Sequence, residues 1–515
     1  MHAIFLLSLA CSTPDLIWEG RNPGECTDEA DNDGDGTFDC HDTDCFGAPG
    51  CIAAAANGAW SELLDDVQQA VDRGAAEGIA LAVVVDGEVA FADAIGDAWE
   101  GAVVPLSVDT RMRWNSVSKM HTAIGILRLE EDGVLDLDAP VTDWLTKITV
   151  PSPYSADDFT LHRLMTHTSA LPDHWTTNCT TELGEYWVGN TESLLAEPGT
   201  LYNYSNTGWS LAGRLLEKAY GVDYMEAMEE LVLKPAGMTS ATFDVSTSLE
   251  EPYTIGYDAG TFYTPDLHDC PYLRPAGWLH ASVLDLGQMI ELQLNGGKGV
   301  LSEAGLLAMR AQQRTFSAND TQVGYGLFSW DHAGVALMGH GGAGGGHRSY
   351  VLMAPEYNFG VAVAANDRDF NTYRIAMRAA ELFLELPDES PDEFLDDPIT
   401  WTAYEGTYED EINMGTMQVH IGNNGKLYLR FDDGSDEDLH LYQSGRSEFF
   451  YLSSGWNYVR FVPGESGDIR YLANRYFVGE RGGANPPPPQ TPEQVMLWET
   501  KSAFDEPRQG GEPHY

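Results

Sequence analysis

The sequence predicts an α+β fold: an antiparallel sheet flanked by helices, with an inserted helical lobe, followed by a small all-β barrel-like domain. Three observations point there. Hairpin patterns stand near both ends of residues 57–390: Leu81 to Val85 with Val89 to Ala92, and Tyr350 to Met353 with Phe359 to Ala364. Apolar residues at helical spacing fill much of the stretch between them. From about residue 400 the pattern changes to short alternating runs separated by turn residues. Strands from both ends of one region close one sheet, and the residues between them form a lobe.

Residues 1–11 read as a compact signal peptide: Met1-His2, the apolar run Ala3 to Ala10, then Cys11. The run is too short to span a bilayer. Small residues before Cys11 resemble a bacterial lipoprotein cleavage site. The expectation is an exported, cell-envelope protein in the outer membrane or periplasm, touching membrane only through a lipid anchor at Cys11. Plain secretion is the alternative. Four of the seven cysteines (Cys26, Cys40, Cys45, Cys51) crowd into residues 12–56. They suggest two local disulfides in an oxidising compartment. Cys179 and Cys270 either pair across the large domain or remain two buried thiols.

Segment 12–56 also carries Asp31, Asp33, Asp35, Gly36, Asp39 and Asp42. Carboxylates at positions 1, 3 and 5, Gly at 6 and an acid at 12 match the calcium-loop template. A structural calcium is expected here, against the plainer reading of a solvated acidic linker. No cofactor is expected for catalysis.

In 57–390, Ala59 to Ala76 has helical periodicity and Asp86-Gly87-Glu88 supplies a hairpin turn. A helix is expected from Ile375 to Leu386, and 387–399 reads as a linker. Across 391–485, Met417, Val419 and Ile421, then Leu427, Leu429 and Phe431, then Leu439 and Leu441 alternate with polar residues. Asn423-Asn424-Gly425 and Asp433-Gly434 mark the turns. Residues 486–515 form a Pro-rich tail.

The chain has 515 residues, enough for two or three domains. Its 28 basic and 80 acidic side chains leave a formal charge of −52. Phosphates would be repelled, which excludes nucleic acid and anionic lipid surfaces as partners.

Three motifs carry the chemistry: Ser116-Val117-Ser118-Lys119, Tyr204-Ser205-Asn206 and His340-Gly341-Gly342. Apolar Ala123, Ile124 and Leu127 follow the first at helical spacing, so Ser116 lies near a helix N-terminus with Lys119 one turn on. Residues three apart share a face, and an amine in a dry pocket accepts a serine proton. The helix start offers N–H groups to an oxyanion. Tyr204 precedes a helix whose stripe is Leu211, Ala212, Leu215, Leu216 and Ala219. A tyrosine beside an ammonium should ionise more readily, and Asn206 can bond both the lysine and a substrate amide. The glycines around His340 imply close approach of ligand to strand backbone. The N–H of Ala343 is then a second oxyanion donor, and His340 stands beside the acyl group.

Together these motifs resemble the serine β-lactamase and penicillin-binding-protein superfamily, in its class-C-like branch with D-alanyl-D-alanine carboxypeptidases, D-aminopeptidases and esterases. Other stretches agree: Leu164 to Pro172, Pro235 to Met238, Ala276 to Leu279 with Asp285, and Tyr325 to Leu327. The resemblance spans roughly 60–385 and implies a β-lactamase/transpeptidase-like fold. By it, Ser116 is the acylated nucleophile, Lys119 and Tyr204 handle its proton, Asn206 orients, and the N–H groups of Ser116 and Ala343, on the Gly341-Gly342 strand, bind the oxyanion. The region after 400 is similar to a lipocalin-like barrel appended to some of these hydrolases. The expected partner is a small molecule or short peptide. A weak β-lactamase and a catalytically silent surface binder are the alternatives. His340 stands where β-lactamases of this branch carry lysine, which argues against efficient penicillin hydrolysis. Ala170 replaces the family's usual glycine, and His167 reads as structural.

Overall fold

The computed structural model describes residues 49–482, except 100–103, 147, 149, 151, 174–193, 251, 259–260, 265–268, 316–320, 385, 387–393, 396–400, 433–437, 446–448, 453–457, 465 and 476. The signal segment with Cys11, the cysteines Cys26, Cys40, Cys45 and Cys179, the calcium-loop residues Asp31 to Asp42, the Asp433-Gly434 turn and the Pro-rich tail lie outside the described residues. Two compact units meet in sequence at Asp66 and Val67. The first contributes most of helix α1 (Pro49–Asp72). That helix starts ten residues before the expected Ala59, because Ala53 to Ala56 are strong helix formers. It ends short of Ala76, where Gly74 turns left-handed at φ +69°.

The second unit begins with a hairpin, β1 (Gly78–Val85) and β2 (Glu88–Gly96). Its turn residues Asp86 and Gly87 both have positive φ, the two-residue turn that matches strand twist. β3 (Met112–Asn115) leads into helix α2 (Ser118–Glu131). Gly133, at φ +69°, closes that helix. α3 (Leu161–Met165) and α4 (Asn206–Tyr220) complete the part of the lobe that positions the site. A small hairpin follows, β4 (Gly256–Asp258) with β5 (Thr261–Tyr263), then β6 (Leu279–Ala281), which pairs with β3, and helix α5 (Val283–Leu294).

The chain returns to the sheet through β7 (Arg314–Thr315), β8 (Gln322–Val323), β9 (Phe328–His332), β10 (Val335–Gly344), β11 (His347–Ala354) and β12 (Phe359–Ala365), then α6 (Thr372–Leu384). The sheet is antiparallel, in the order β2-β1-β12-β11-β10-β9-β8-β7. β1 lies beside β12, with Leu81 opposite Val363, so the two ends of the domain do close one sheet. β12 is buried throughout, and α5 and α6 pack against it. One apolar core runs from Ala82, Val84 and Ala362 into the lobe, where Trp114, Ile124, Leu127, Trp209 and Leu215 meet.

After β11's neighbour strands, β13 (Phe394–Leu395) opens the C-terminal domain. Eight strands follow: β14 (Gly406–Asp410), β15 (Gly415–Ile421), β16 (Leu427–Phe431), β17 (Leu439–Ser444), β18 (Phe449–Leu452), β19 (Val459–Pro463), β20 (Ile469–Ala473) and β21 (Val478–Arg481). β14 pairs with β21, and β17 with β18, which closes an antiparallel barrel. Met417, Val419, Leu427, Leu429, Phe431, Leu439 and Leu441 fill its interior, with Ile421 half-buried. The alternating pattern was the inward face. The barrel also packs on the lobe: Val462, Tyr471, Ala473 and Val478 bury against Ala170, Leu195, Ala196 and Leu201.

Among the described residues, no helix is long and apolar enough to cross a membrane. Cys270 is buried. Its expected partner Cys179 lies outside the described residues, so their bridge stays a proposal.

Candidate active site

The first motif begins where β3 ends. Asn115 adopts φ +49°, a left-handed conformation that asparagine tolerates better than most residues. Its Nδ2 donates to the carbonyl of His347 at 3.2 Å, and the Asn115 carbonyl accepts from Ser118 Oγ at 2.6 Å. This fixed corner turns the chain from strand to helix and presents Ser116 just ahead of α2. Lys119 follows one turn on and is fully buried. Its Nζ lies 2.7 Å from Asn206 Oδ1, 2.6 Å from the carbonyl of Ala276 and 3.1 Å from Ser116 Oγ. Burial drives the Lys119 pKa well below its ordinary value. The charge of Asp173 opposes that shift and the charge of Arg475 adds to it. A neutral amine has two N–H groups and one lone pair. Asn206 and Ala276 take the two N–H groups at the shorter distances. Ser116 Oγ accepts the third, longer bond from Nζ, so when Lys119 gives up that proton its lone pair faces the serine hydroxyl.

Tyr204 also hydrogen-bonds the serine. Burial raises its pKa, against a side-chain hydrogen bond with Ser116 and the charge of Arg475. This reverses the sequence expectation that a neighbouring ammonium would ease its ionisation. The lysine is itself pushed toward the neutral amine, so the phenol gains little from it and loses its water. Lys119 Nζ sits 4.8 Å from the Tyr204 ring centroid. Ser205 caps α4 by accepting from Gly208 N–H, which sets Asn206 at the first turn. Asn206 bonds the lysine through Oδ1, as expected. Its Nδ2 and its backbone N–H both donate to Asp173, each at 3.0 Å, which aims Oδ1 at Lys119.

Asp173 was missed in the sequence. The available signal was position, since it directly follows the Leu164 to Pro172 stretch. His167 of that stretch stacks on Tyr204 with centroids 4.2 Å apart. Its Nδ1 accepts from Ser205 N–H at 2.9 Å. That is a packing role, as read from the sequence, and it holds the tyrosine ring. Asp285, another matched residue, caps α5 from within a capping box with Ser282 and ties down Ser240. Ala170 sits at φ +59°, where the family's glycine would be at ease.

The third motif lies on β10. β9 stops pairing at Gly339, while β11 pairs on to Gly344. Residues 340–344 therefore leave one edge of β10 unpaired by β9. A Cβ on Gly342 would lie 2.3 Å from the carbonyl oxygen of Trp114, and one on Gly344 would lie 3.0 Å from Asn115 Oδ1. Ala343 sits between these two contacts, beside the strand that ends at the nucleophile. Gly341 faces the Tyr350 ring. His340 is buried, and its pKa is pushed down to about 3 by burial and then by the Lys119 charge. It is neutral at pH 7. Nδ1 donates to the Gly341 carbonyl at 2.6 Å, so Nε2 carries the lone pair. Phe328 packs on the ring at 4.8 Å.

One further residue comes from the barrel. Arg475, in the β20–β21 turn, places its guanidinium carbon 5.0 Å from the Tyr204 ring centroid. Its carbonyl accepts the Tyr204 N–H at 3.0 Å. No local motif marks it, because its partner is remote in sequence. Tyr202, Tyr204, Val323 and Phe328 share an apolar cluster with barrel residues Phe449 and Tyr458. Among the described residues no group of His, Cys, Asp or Glu could hold a metal ion.

The structure thus gathers Ser116, Lys119, Tyr204, Asn206 and His340 around one point, with Asp173, His167 and Arg475 behind them. Residues 64–385 match the family model described as Beta-lactamase. Penicillin-binding protein 4 of Amycolatopsis lactamdurans is 27% identical over 65% of this chain and 93% of its own length. The D-aminopeptidase of Brucella anthropi is 30% identical over 51% of each chain. The octameric penicillin-binding protein homologue from Pyrococcus abyssi superposes with a TM-score of 0.58, at 25% identity, over 82% of this chain and 99% of that one. SurE gives a TM-score of 0.67 over 83% of this chain and all of its own, at an identity of 23% that speaks to the fold alone. A matched model over well over half of the chain, together with this constellation of side chains, makes the protein a serine hydrolase of the β-lactamase family.

Proposed function

We propose that the protein is an exported hydrolase that forms an acyl-enzyme at Ser116 and releases the acyl group to water. Its substrate is a small peptide, amide or ester, with a D-amino acid at the scissile bond. The observation that carries this is the buried Lys119 Nζ, held 3.1 Å from Ser116 Oγ.

In the first step Ser116 Oγ bonds to the substrate carbonyl carbon as its proton passes to Lys119 Nζ. The carbonyl oxygen becomes an oxyanion, bound by the N–H groups of Ser116 and Ala343. Asp173 favours the lysine's transient charge. Tyr204, held protonated, gives its proton to the leaving nitrogen or oxygen and takes one back from Lys119. The scissile bond breaks. A water then repeats the sequence in reverse, and Ser116 regains its proton. The similarity to a D-aminopeptidase supports the stereochemical part of this reading.

A fluorophosphonate probe should label the wild-type protein, leave Ser116→Ala unlabelled, and label Lys119→Ala at least a hundredfold more slowly. Equal labelling of wild type and Ser116→Ala would leave the silent-binder reading standing. The β-lactamase reading is weaker here, because neutral His340 gives a penicillin carboxylate no cation at the position where lysine is expected. Export through residues 1–11, lipidation of Cys11 and a calcium ion on Asp31 to Asp42 belong to the same proposal. A lipid-sized mass on the mature N-terminal peptide, and calcium uptake by the full chain, would test them.

A further inference from the structure

The strand that delivers the nucleophile also carries a buried cation with no part in the steps above. Arg113 stands on β3, opposite His280 of β6, and is 6% exposed. Burial pulls its pKa down to about 10 and the charge of Asp269 opposes that shift, so the guanidinium is charged at neutral pH. Two backbone stretches converge on it. From the first, the Trp278 ring offers its face, with its centroid 3.8 Å from the guanidinium carbon, and the Gly277 carbonyl accepts from Nε at 3.3 Å. From the second, the turn between β10 and β11, Gly345 comes so close that a Cβ there would lie 2.5 Å from Nη1. Each contact residue is tied down by a buried histidine. A carbonyl only accepts, so His280 Nδ1 donates to the Trp278 carbonyl at 3.1 Å and His347 Nδ1 to the Gly345 carbonyl at 2.8 Å. Burial keeps both imidazoles neutral, and the Arg113 charge lowers their pKa values further, to about 3 and about 4.

The same two stretches build the site. Gly277 directly follows Ala276, whose carbonyl accepts from Lys119 Nζ at 2.6 Å. Gly345 lies two residues beyond Ala343, just past the end of β10. We propose that Arg113 is a positioning residue for acyl transfer: by joining Trp278 to the β10–β11 turn, it fixes the spacing between the Ala276 carbonyl that seats Lys119 and the Ala343 N–H assigned to the oxyanion. This rests on the hydrolase reading above and adds a residue that touches neither substrate nor nucleophile. The tetrahedral intermediate needs the base and the oxyanion donor at once, so an error in their spacing slows bond formation. A planar guanidinium stacks on an indole and donates along its edge, which a lysine ammonium cannot reproduce.

The test measures fluorophosphonate labelling rates of the full chain, at a temperature where circular dichroism shows each variant folded. Arg113→Met should slow labelling by about a hundredfold, the cost of a misplacement of about 1 Å. Arg113→Lys keeps a buried cation but loses the flat stack, and should slow it by about tenfold. Trp278→Phe keeps a ring face and should stay close to wild type, whereas Trp278→Leu should be as slow as Arg113→Met. In the double variant Arg113→Met, Trp278→Leu the two losses should not multiply, because both remove one contact. Two unrelated packing defects would multiply, and a purely structural role would lower the melting temperature without slowing the folded protein. A wild-type rate in Arg113→Lys, equal rates in Trp278→Phe and Trp278→Leu, or multiplying losses in the double variant would overturn the proposal. The Trp278 pair reads the same contact if a substitution at Arg113 fails to fold. Absence of Ser116 labelling in wild type would instead sink the hydrolase reading itself.

Discussion

At the scale of single residues, the site is a set of pKa values arranged by burial. Lys119 is pushed down and Tyr204 up, which eases loss of the lysine's proton and holds that of the phenol. Acylation therefore requires Lys119 to lose its proton and falls as pH drops through its lowered pKa. The Asp173 charge raises that pKa, so Asp173→Asn should move the acidic limb of the labelling-rate profile to lower pH. His340 titrates at about 3, so His340→Gln should leave the limb in place and change substrate preference instead. A limb that moves with His340→Gln and ignores Asp173→Asn would assign it to the histidine. Ser116, Lys119, Tyr204 and Asn206 were readable in the sequence because each sits at a helix start with a local pattern behind it. Asp173 and Arg475 were not. Their roles come from contacts across the lobe and across the domain boundary, which no periodicity records.

Among the elements, β10 matters most, because its glycines let it run against β3. Gly342→Ala puts a methyl group 2.3 Å from the Trp114 carbonyl oxygen and 2.5 Å from Ser349 Oγ. Both neighbours are held, since Ser349 Oγ itself donates to that carbonyl at 2.8 Å. The strands must part, and Ala343 moves away from Ser116. Loss of one oxyanion donor costs about a hundredfold or more in rate, so labelling of Gly342→Ala should slow by at least that factor while far-UV circular dichroism keeps the sheet signal. An unchanged labelling rate would remove Ala343 from the site. Gly326 does similar service for α2: at φ +69° it lies against the Lys119 backbone. The hairpins and the barrel strands were legible because a half-buried strand alternates. The start of α1 and the short strands β7 and β8 were not, since two paired residues leave no period to read.

At the scale of the whole molecule, five buried histidines among the described residues set the response to acid, and burial pushes one of them, His167, well below its ordinary pKa. His121, His280, His340 and His347 are each almost fully buried, and burial is the first cause of pKa values of about 4, 3, 3 and 4. The unfolded chain takes up these protons below about pH 6.5, while the folded protein refuses them until about pH 4. Stability is therefore complete above pH 6.5 and falls as pH drops through that window, by on the order of 5 kcal/mol per pH unit where all four contribute. The charge of −52 works the other way, since protonating carboxylates relieves self-repulsion, but that begins nearer pH 5. The melting temperature should fall steeply between pH 6.5 and pH 5. A flat or rising value over that range would mean that the histidines are hydrated in the folded state. The seam between lobe and barrel has a different consequence, in time. Asn203 and its barrel partner Asn474 are 271 positions apart. During translation the ribosome delivers the nucleophile early and this wall of the pocket last. A nascent or prematurely terminated chain holds Ser116 without the turn that accepts the Tyr204 N–H, so activity is expected only once synthesis is nearly finished.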